Sequence, residues 1–206
     1  MPSAARPGRE LAGHPSWCSA GGVLAAGSTF PCRLVTKLRV VEPVLVSACL
    51  LGRPVRYDGR GKPSDSAILA RWRAEGRLVP VCPELAGGLA VPRSAAELTG
   101  PAAEVLDGAA RVRTVTGDDV TEAFTEGAQL ALAAALRSGA RLAVLKEGSP
   151  SCATERVYDG AFSGVMIDGA GVTTELLRRH GVQVFNETQF DLAAEYLHRL
   201  ESPSSE

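Results

Sequence analysis

The sequence predicts an α/β protein with a mostly parallel open sheet and helices on both faces, in a single domain. Four short apolar runs typical of buried parallel strands recur along the chain, at 44–48, 78–81, 142–145 and 182–186. Segments with helix signals follow these runs, at 66–75, 121–137, 172–179 and 189–200. Strands that alternate with helices indicate βαβ units and therefore a parallel sheet.

The first half of the chain contains clear start and stop signals. The segment 50–62 is rich in Gly, Arg and Pro, which predicts a functional loop after the first strand. The helix that follows has Ser64 or Asp65 as its expected cap and ends at Gly76. After the second strand, the Gly and Pro content of 82–93 predicts another loop.

The second half follows the same logic. Residues 109–116 alternate between apolar and polar, which predicts an exposed strand or a hairpin arm. Asp119 or Thr121 begins a long helix rich in Ala and Leu that ends at Gly139. A loop at 147–171 then separates the third apolar run from the last helix, strand and helix.

Composition excludes two classes of partner. The chain has 206 residues, with 22 basic and 23 acidic side chains and a net charge of −1, so it has no basic footprint for nucleic acid. It has no apolar run of about 18 residues, so no membrane span is expected. We expect a domain at 41–201, a disordered or mis-assigned N-terminal extension at 1–40 and a tail at 202–206. The sequence leaves open a monomer or a homodimer.

Cysteine usage indicates a reducing compartment. The five cysteines form an odd set without a secretory signal, which argues against a disulfide framework and for a cytoplasmic location. Cys18 and Cys32 lie in the N-terminal extension and are interpreted as incidental thiols.

Three further cysteines follow strand-like runs. Cys49 and Cys82 come directly after the first two strands, and Cys152 lies shortly after the third. Ligands bind outside the carboxyl ends of the strands in an open α/β sheet, so these thiols could converge on one point. Three convergent thiolates suit a soft metal or an iron–sulfur cluster and would leave one metal position open for chemistry.

Polar residues near these cysteines are candidates for substrate contact or proton transfer. Glu84 could handle protons beside the cluster, or it could form an ordinary ion pair with Arg93. The segment 146–152 places Lys146 and two serine hydroxyls, Ser149 and Ser151, before the third cysteine, where they could bind a polar substrate or belong to an ordinary loop. Arg56 and Tyr57 could cover the substrate, or could belong to a solvated loop.

These motifs together resemble the thiouracil desulfidase family over residues 43–187. The motifs occur in the family's order: VSACLLG at 46–52, RYDG at 56–59, CPELAGGL at 82–89, KEGSPSC at 146–152 and YDG at 158–160. The resemblance implies a 4Fe-4S cluster held by Cys49, Cys82 and Cys152, with one iron not bound by protein. It implies non-redox, hydrolytic desulfidation of a thiolated pyrimidine such as 2-thiouracil, giving the oxo base and hydrogen sulfide.

The resemblance also assigns roles to individual residues. It implies that Glu84 is the general acid or base and that Ser149 orients substrate or water. The sequence departs from the family pattern at Ala153, where glycine is expected; a positive φ there would cost alanine roughly 1 kcal/mol. It also departs near Ala95, where proline is expected.

Two other kinds of function use the same three cysteines. A sulfurtransferase would pass sulfide to an acceptor. A non-catalytic protein would sense sulfide or a metal, or would hold a structural zinc ion, which normally takes four protein ligands. Colour and absorbance near 400 nm would distinguish an iron–sulfur protein from zinc, because Zn²⁺ has a filled d shell.

Overall fold

A computed structural model describes residues 41–202 of the chain. The N-terminal extension, including Cys18 and Cys32, and residues 203–206 lie outside this part. The described part contains eight strands and six helices: β1 Val44–Ser47, α1 Ala67–Ala74, β2 Leu78–Val81, α2 Pro83–Ala86, β3 Ala96–Leu98, α3 Ala102–Leu106, β4 Val112–Thr114, α4 Thr121–Ser138, β5 Leu142–Leu145, β6 Arg156–Tyr158, β7 Met166–Asp168, α5 Val172–Arg179, β8 Gln183–Asn186 and α6 Phe190–Glu201. None of these helices is both long enough and apolar enough to cross a lipid bilayer.

A four-stranded parallel sheet forms the centre of the fold, in the order β2-β1-β5-β8. Helices α1 and α6 pack on one face, where Trp72 and Phe190 meet Val44 and Val46 of β1. Helices α4 and α5 pack on the other face, around Leu45. The predicted α/β class is therefore confirmed, and all four sheet strands end at the same edge.

Two antiparallel pairs of short strands lie outside this sheet. The first pairs β3 with β4, and the second pairs β6 with β7. The alternation at 109–116 did predict a hairpin arm, which is β4. The loops predicted at 82–93 and 147–171 were too broad, because α2 occupies part of the first and β6 and β7 part of the second. Segments of three or four residues are too short to show a hydrophobic period.

The cap predicted for α1 was displaced by one or two residues. Ser66, and neither Ser64 nor Asp65, caps this helix by accepting the Leu69 N–H at 3.4 Å. Gly76 does follow the helix, with φ of 70°. The other stop signal is confirmed at Gly139, which ends α4 with φ of 76°.

A close contact between α2 and α4 positions the loop that contains Cys82. A Cβ added at Gly87 would overlap the carbonyl oxygen of Ala123, and one added at Gly127 would overlap that of Pro83. Neither glycine has a positive φ, so the requirement here is for space. Because α2 begins directly after Cys82, this contact fixes both that thiol and Glu84.

Replacing Gly127 with alanine is expected to lower the free energy of unfolding by about 1–3 kcal/mol, the usual cost of overpacking a tight contact. In a helix interior without such a contact, alanine is more stabilising than glycine. A loss of stability would therefore be due to the steric overlap. Leu130→Ala, at an exposed position of the same helix, is the control and should change stability by less than about 0.5 kcal/mol. Chemical denaturation measures both changes, and a Gly127→Ala protein as stable as the parent would contradict this packing.

Candidate functional site

One cavity lies outside the carboxyl ends of the sheet strands and has a volume of about 640 Å³. Its wall includes Cys49, Cys82 and Cys152, and all three are free thiols. Cys49 and Cys152 are buried, while Cys82 is partly exposed. The structure thus brings together the three cysteines that the strand ends predicted.

Local backbone geometry presents each thiol. Cys49 lies in a short 3-10 turn at Ala48–Leu51 that ends at Gly52, whose φ is 83°. Its carbonyl accepts the N–H groups of Gly52 at 3.0 Å and Lys62 at 2.9 Å. Cys82 precedes α2, and its thiol lies 3.8 Å from the carbonyl oxygen of Val55, as a weak donor.

Cys152 lies in a turn held against the start of α5. The Thr174 hydroxyl donates to the Cys152 carbonyl at 2.8 Å, and the Ala153 N–H donates to the Ser149 carbonyl at 3.0 Å. Ala153 itself is fully buried. Phe162 is the one non-glycine residue in the described part with positive φ, so the strain considered for Ala153 does not arise.

The cavity keeps these thiols protonated when no metal is bound. Burial raises the pKa of Cys49 to about 11, and the neighbouring Cys82 adds to the shift. Burial also raises the pKa of Cys82 and of Cys152, the latter with further contributions from Glu84 and the other two thiols. Thiolate ligands require deprotonation, so metal binding here would release protons.

The three thiols in the cavity wall are the type of donor that an iron–sulfur cluster takes. Among residues 41–202, no three His, Cys, Asp or Glu side chains lie close enough together to hold one ion. Structural zinc takes four protein ligands around one centre, so the zinc interpretation is not supported in this region. An iron–sulfur cluster accepts more widely separated thiolates, because each thiolate binds a different iron.

Glu84 faces the same cavity and is held from two sides. The Arg93 guanidinium donates to Glu84 Oε2, with Nη2 at 2.6 Å and Nε at 2.8 Å. The Ser149 hydroxyl donates to Glu84 Oε1 at 3.2 Å. The ion pair with Arg93 that the sequence suggested therefore exists, and it orients Glu84 in the cavity wall together with Ser149.

Ser149 connects Glu84 to the third cysteine. Its Oγ accepts the N–H groups of Ser151 at 3.1 Å and Cys152 at 3.3 Å. These two donors fix the hydroxyl, so its own proton points to Glu84. Both residues assigned roles by the resemblance thus lie beside the cysteines in one hydrogen-bonded group.

The other predicted contact residues have different positions. Arg56 and Tyr57 line the cavity, and the guanidinium lies 5.8 Å from the centre of the tyrosine ring. Lys146 also lines it, but its ammonium pairs with Glu187 and donates to the Glu147 carbonyl at 2.8 Å. The ammonium charge of Lys146 is therefore already paired with a carboxylate.

Ser151 was wrongly predicted as a substrate contact. It is fully buried, and its hydroxyl pairs with the Thr173 hydroxyl at 2.9 Å. The wall of the cavity does not include it. The two serines lie two residues apart in the same loop, and the sequence does not show which hydroxyl faces the cavity and which is buried. The position of α5 decides this.

Several residues of the cavity wall were not predicted. They come from the short antiparallel strands or the end of β8: Glu97, Tyr158, Met166 and Glu187. The repeated tripeptide Tyr-Asp-Gly at 57–59 and 158–160 was the available signal, because both of its tyrosines line the cavity.

Glu147 organises the loop around Cys152. Its carboxylate accepts the Thr154 N–H at 2.9 Å and hydroxyl at 2.8 Å, and the N–H groups of Arg156 at 2.7 Å and Glu155 at 3.2 Å. Burial acts to raise the pKa of Glu147, but these hydrogen bonds outweigh it and hold the pKa below its ordinary value.

This depressed pKa predicts a pH-dependent contribution to stability. The contribution is fully present above the unfolded-state pKa of about 4.3 and is lost as pH falls through the lower folded-state pKa. Glu147→Gln should therefore be less stable than the parent near neutral pH, with the difference shrinking below about pH 4. Urea unfolding at a series of pH values measures the difference in free energy of unfolding between the two proteins. A difference that stays constant down to the folded-state pKa of Glu147 would contradict a stabilising role for its ionised form.

Comparisons with known proteins agree with this geometry. Residues 44–189 match the model of a family described as 2-thiouracil desulfurase. YbbK of Bacillus subtilis (strain 168), whose name calls it uncharacterized, is 42% identical over 149 residues, covering 72% of this chain and 97% of that protein. A solved structure of a protein named [4Fe-4S]-dependent thiouracil desulfidase TudS is 51% identical with a TM-score of 0.72, covering 77% of this chain and 99% of that one.

Proposed function

The chain belongs to the 2-thiouracil desulfurase family, and we propose that it removes the sulfur of a thiolated pyrimidine such as 2-thiouracil with the help of a [4Fe-4S] cluster. The family predicted from the motifs is thereby confirmed. The observation that carries the proposal is the convergence of three free cysteines with Glu84 and Ser149 on one cavity.

Cys49, Cys82 and Cys152 would hold the cluster, and we propose that one iron has no protein ligand, since the described wall offers no fourth thiol. A bound cluster would supply a Lewis acid that polarises the thiocarbonyl. We also propose a cytoplasmic location, where reducing conditions would keep these thiols available to the cluster.

We propose that the reaction is hydrolytic, so that water and the thiocarbonyl give a carbonyl and hydrogen sulfide without a net redox change. Glu84 would take a proton from the attacking water and return it to the departing sulfur. Arg93 holds one oxygen of this carboxylate and Ser149 the other, so the group is oriented before the substrate arrives. The Ser149 hydroxyl would then position water or substrate beside it.

Anaerobic reconstitution tests this proposal. The protein should take up about four irons and four sulfides per chain, and should then convert 2-thiouracil to uracil and sulfide in equal amounts. The same protein without the cluster is the control. A full cluster without uracil release would refute the desulfidase and leave the sulfurtransferase or sensor, while a protein that takes up no iron would refute the metal centre.

A further inference from the structure

Glu97 is a buried carboxylate in the wall of the cavity. It lies on β3 and its residue is 8% exposed. The Phe162 N–H donates to its Oε2 at 3.0 Å. Within residues 41–202 it forms no ion pair, in contrast to Glu84 and Glu187 in the same wall, which pair with Arg93 and Lys146.

The described residues give the Glu97 carboxylate one hydrogen-bond donor and no cation. A carboxylate removed from water without a cation costs free energy unless hydrogen bonds replace its hydration. The described residues supply one such bond, to Oε2, and none to Oε1. A bound molecule that donates a hydrogen bond to Oε1 would satisfy this group.

The hairpin of β6 and β7 presents that single donor with visible strain. Phe162 has φ of 54°, which is unfavourable for an aromatic residue. Gly160 approaches the backbone of β3 so closely that an added Cβ would overlap the carbonyl oxygen of Leu98. Strained backbone held by its surroundings is frequent at ligand sites, and here the strained residue is the one whose N–H donates to Glu97.

The surroundings of Glu97 suit the edge of a planar ring. Tyr158 and Met166 are cross-strand partners in the same hairpin, and both line the cavity. An aromatic ring and a thioether offer apolar contact to the face of a heterocycle, while a carboxylate accepts from an N–H on its edge. In a thiolated pyrimidine, such ring N–H groups lie next to the thiocarbonyl carbon.

We propose that Glu97 accepts a ring N–H beside the thiocarbonyl and so selects substrates whose adjacent ring nitrogen carries hydrogen. This inference rests on the proposed function for the identity of the ring. It makes Glu97 a specificity-determining residue: cyclic thioamides or thioureas with a free N–H are accepted, and derivatives alkylated at that nitrogen are rejected. Sites built to hydrogen-bond a substrate discriminate strongly against analogues that lack the donor.

Comparison of 2-thiouracil with its 1-methyl and 3-methyl derivatives tests the proposal. In the parent protein, kcat/KM should fall by about 10- to 150-fold for the derivative methylated at the recognised nitrogen, as for a hydrogen bond to a charged group. Glu97→Ala should lose a similar factor with 2-thiouracil but less than about threefold with that derivative, so the discrimination largely disappears. A Glu97→Ala protein that discriminates as the parent does would overturn the proposal.

Two variants separate recognition from damage to the hairpin. Glu97→Gln retains an oxygen that can accept the Phe162 N–H, and should lose part of the discrimination while keeping the parent's stability. Asp159→Ala removes acceptors for the Ala161 N–H and the Ser163 hydroxyl in the same hairpin but leaves Glu97 in place, and should retain the discrimination. Equal loss of discrimination in Asp159→Ala and Glu97→Ala would show a structural role for Glu97 and refute the proposal.

Equilibrium binding distinguishes failure of this inference from failure of the proposed function. Calorimetry with uracil and its N-methyl derivatives measures recognition of the ring N–H without any C–S cleavage. Uracil binding that depends on Glu97, in a protein that does not desulfidate 2-thiouracil, would support the inference and refute the desulfidase. If the protein turns over 2-thiouracil, and Glu97→Ala binds uracil as tightly as the parent does, the desulfidase is supported and the role of Glu97 is refuted.

Discussion

Replacing Cys152 with serine is expected to abolish cluster binding and desulfidation together. The buried Cys152 thiol lines the same cavity as Cys49 and Cys82, and a serine hydroxyl there is a hard oxygen donor that suits iron–sulfur clusters poorly. The loss of activity should exceed the roughly 10- to 100-fold typical of removing outer partners of metal ligands. Iron and acid-labile sulfide content, absorbance near 400 nm and uracil release measure the effect.

A matched control comes from the other two cysteines. The double variant Cys18→Ser, Cys32→Ser changes the same residue type outside the cavity wall that the structure describes, and it should keep both the cluster and the activity. Loss of the cluster in this double variant, or a full cluster in Cys152→Ser, would overturn the choice of ligands.

Replacing Glu84 with glutamine is expected to leave the cluster in place and to lower kcat by about 10²- to 10⁴-fold, the usual contribution of a positioned acid or base. Glutamine keeps the shape of the side chain, and its single carbonyl oxygen can accept from Arg93 in place of Oε2. Its NH2 group cannot accept from the Ser149 hydroxyl, and the amide cannot carry a proton between water and sulfur. The measurement is the single-turnover rate of uracil formation in protein whose iron content equals that of the parent.

Glu122→Gln is the control for this prediction, because Glu122 is an exposed carboxylate in the first turn of α4, as Glu84 lies in the first turn of α2. It should turn over at the parent's rate. A Glu84→Gln protein with a full cluster and an undiminished rate would remove Glu84 from the proton transfer.

The sequence alone predicts the strands of the parallel sheet and the edge of the sheet at which the three cysteines lie. Each sheet strand is a short apolar run, and parallel strands end at one edge, so the sequence alone indicates that Cys49, Cys82 and Cys152 could converge. The helices were predicted with small errors at their ends, as at Ser66, where three polar residues in succession compete for the role of cap.

The rest of the site depends on packing that a sequence does not show. Glu97 and Tyr158 reach the cavity because two pairs of three-residue strands dock beside the sheet, and segments that short have no readable period. Ser149 faces Glu84, whereas Ser151 is buried under α5. A close approach at Gly171 sets this difference, because a Cβ added there would overlap the backbone of Ser151. The pairing of Lys146 with Glu187 joins the ends of two adjacent strands and follows from their order in the sheet.

The origin of the new oxygen tests the central claim most directly. Reconstituted protein should be mixed anaerobically with 2-thiouracil in water enriched in ¹⁸O, and the uracil examined by mass spectrometry while sulfide is counted. Hydrolytic cleavage of the thiocarbonyl in this cavity predicts one ¹⁸O atom in each uracil formed and one sulfide released with it. Uracil without the label, or loss of thiouracil without uracil, would contradict the account.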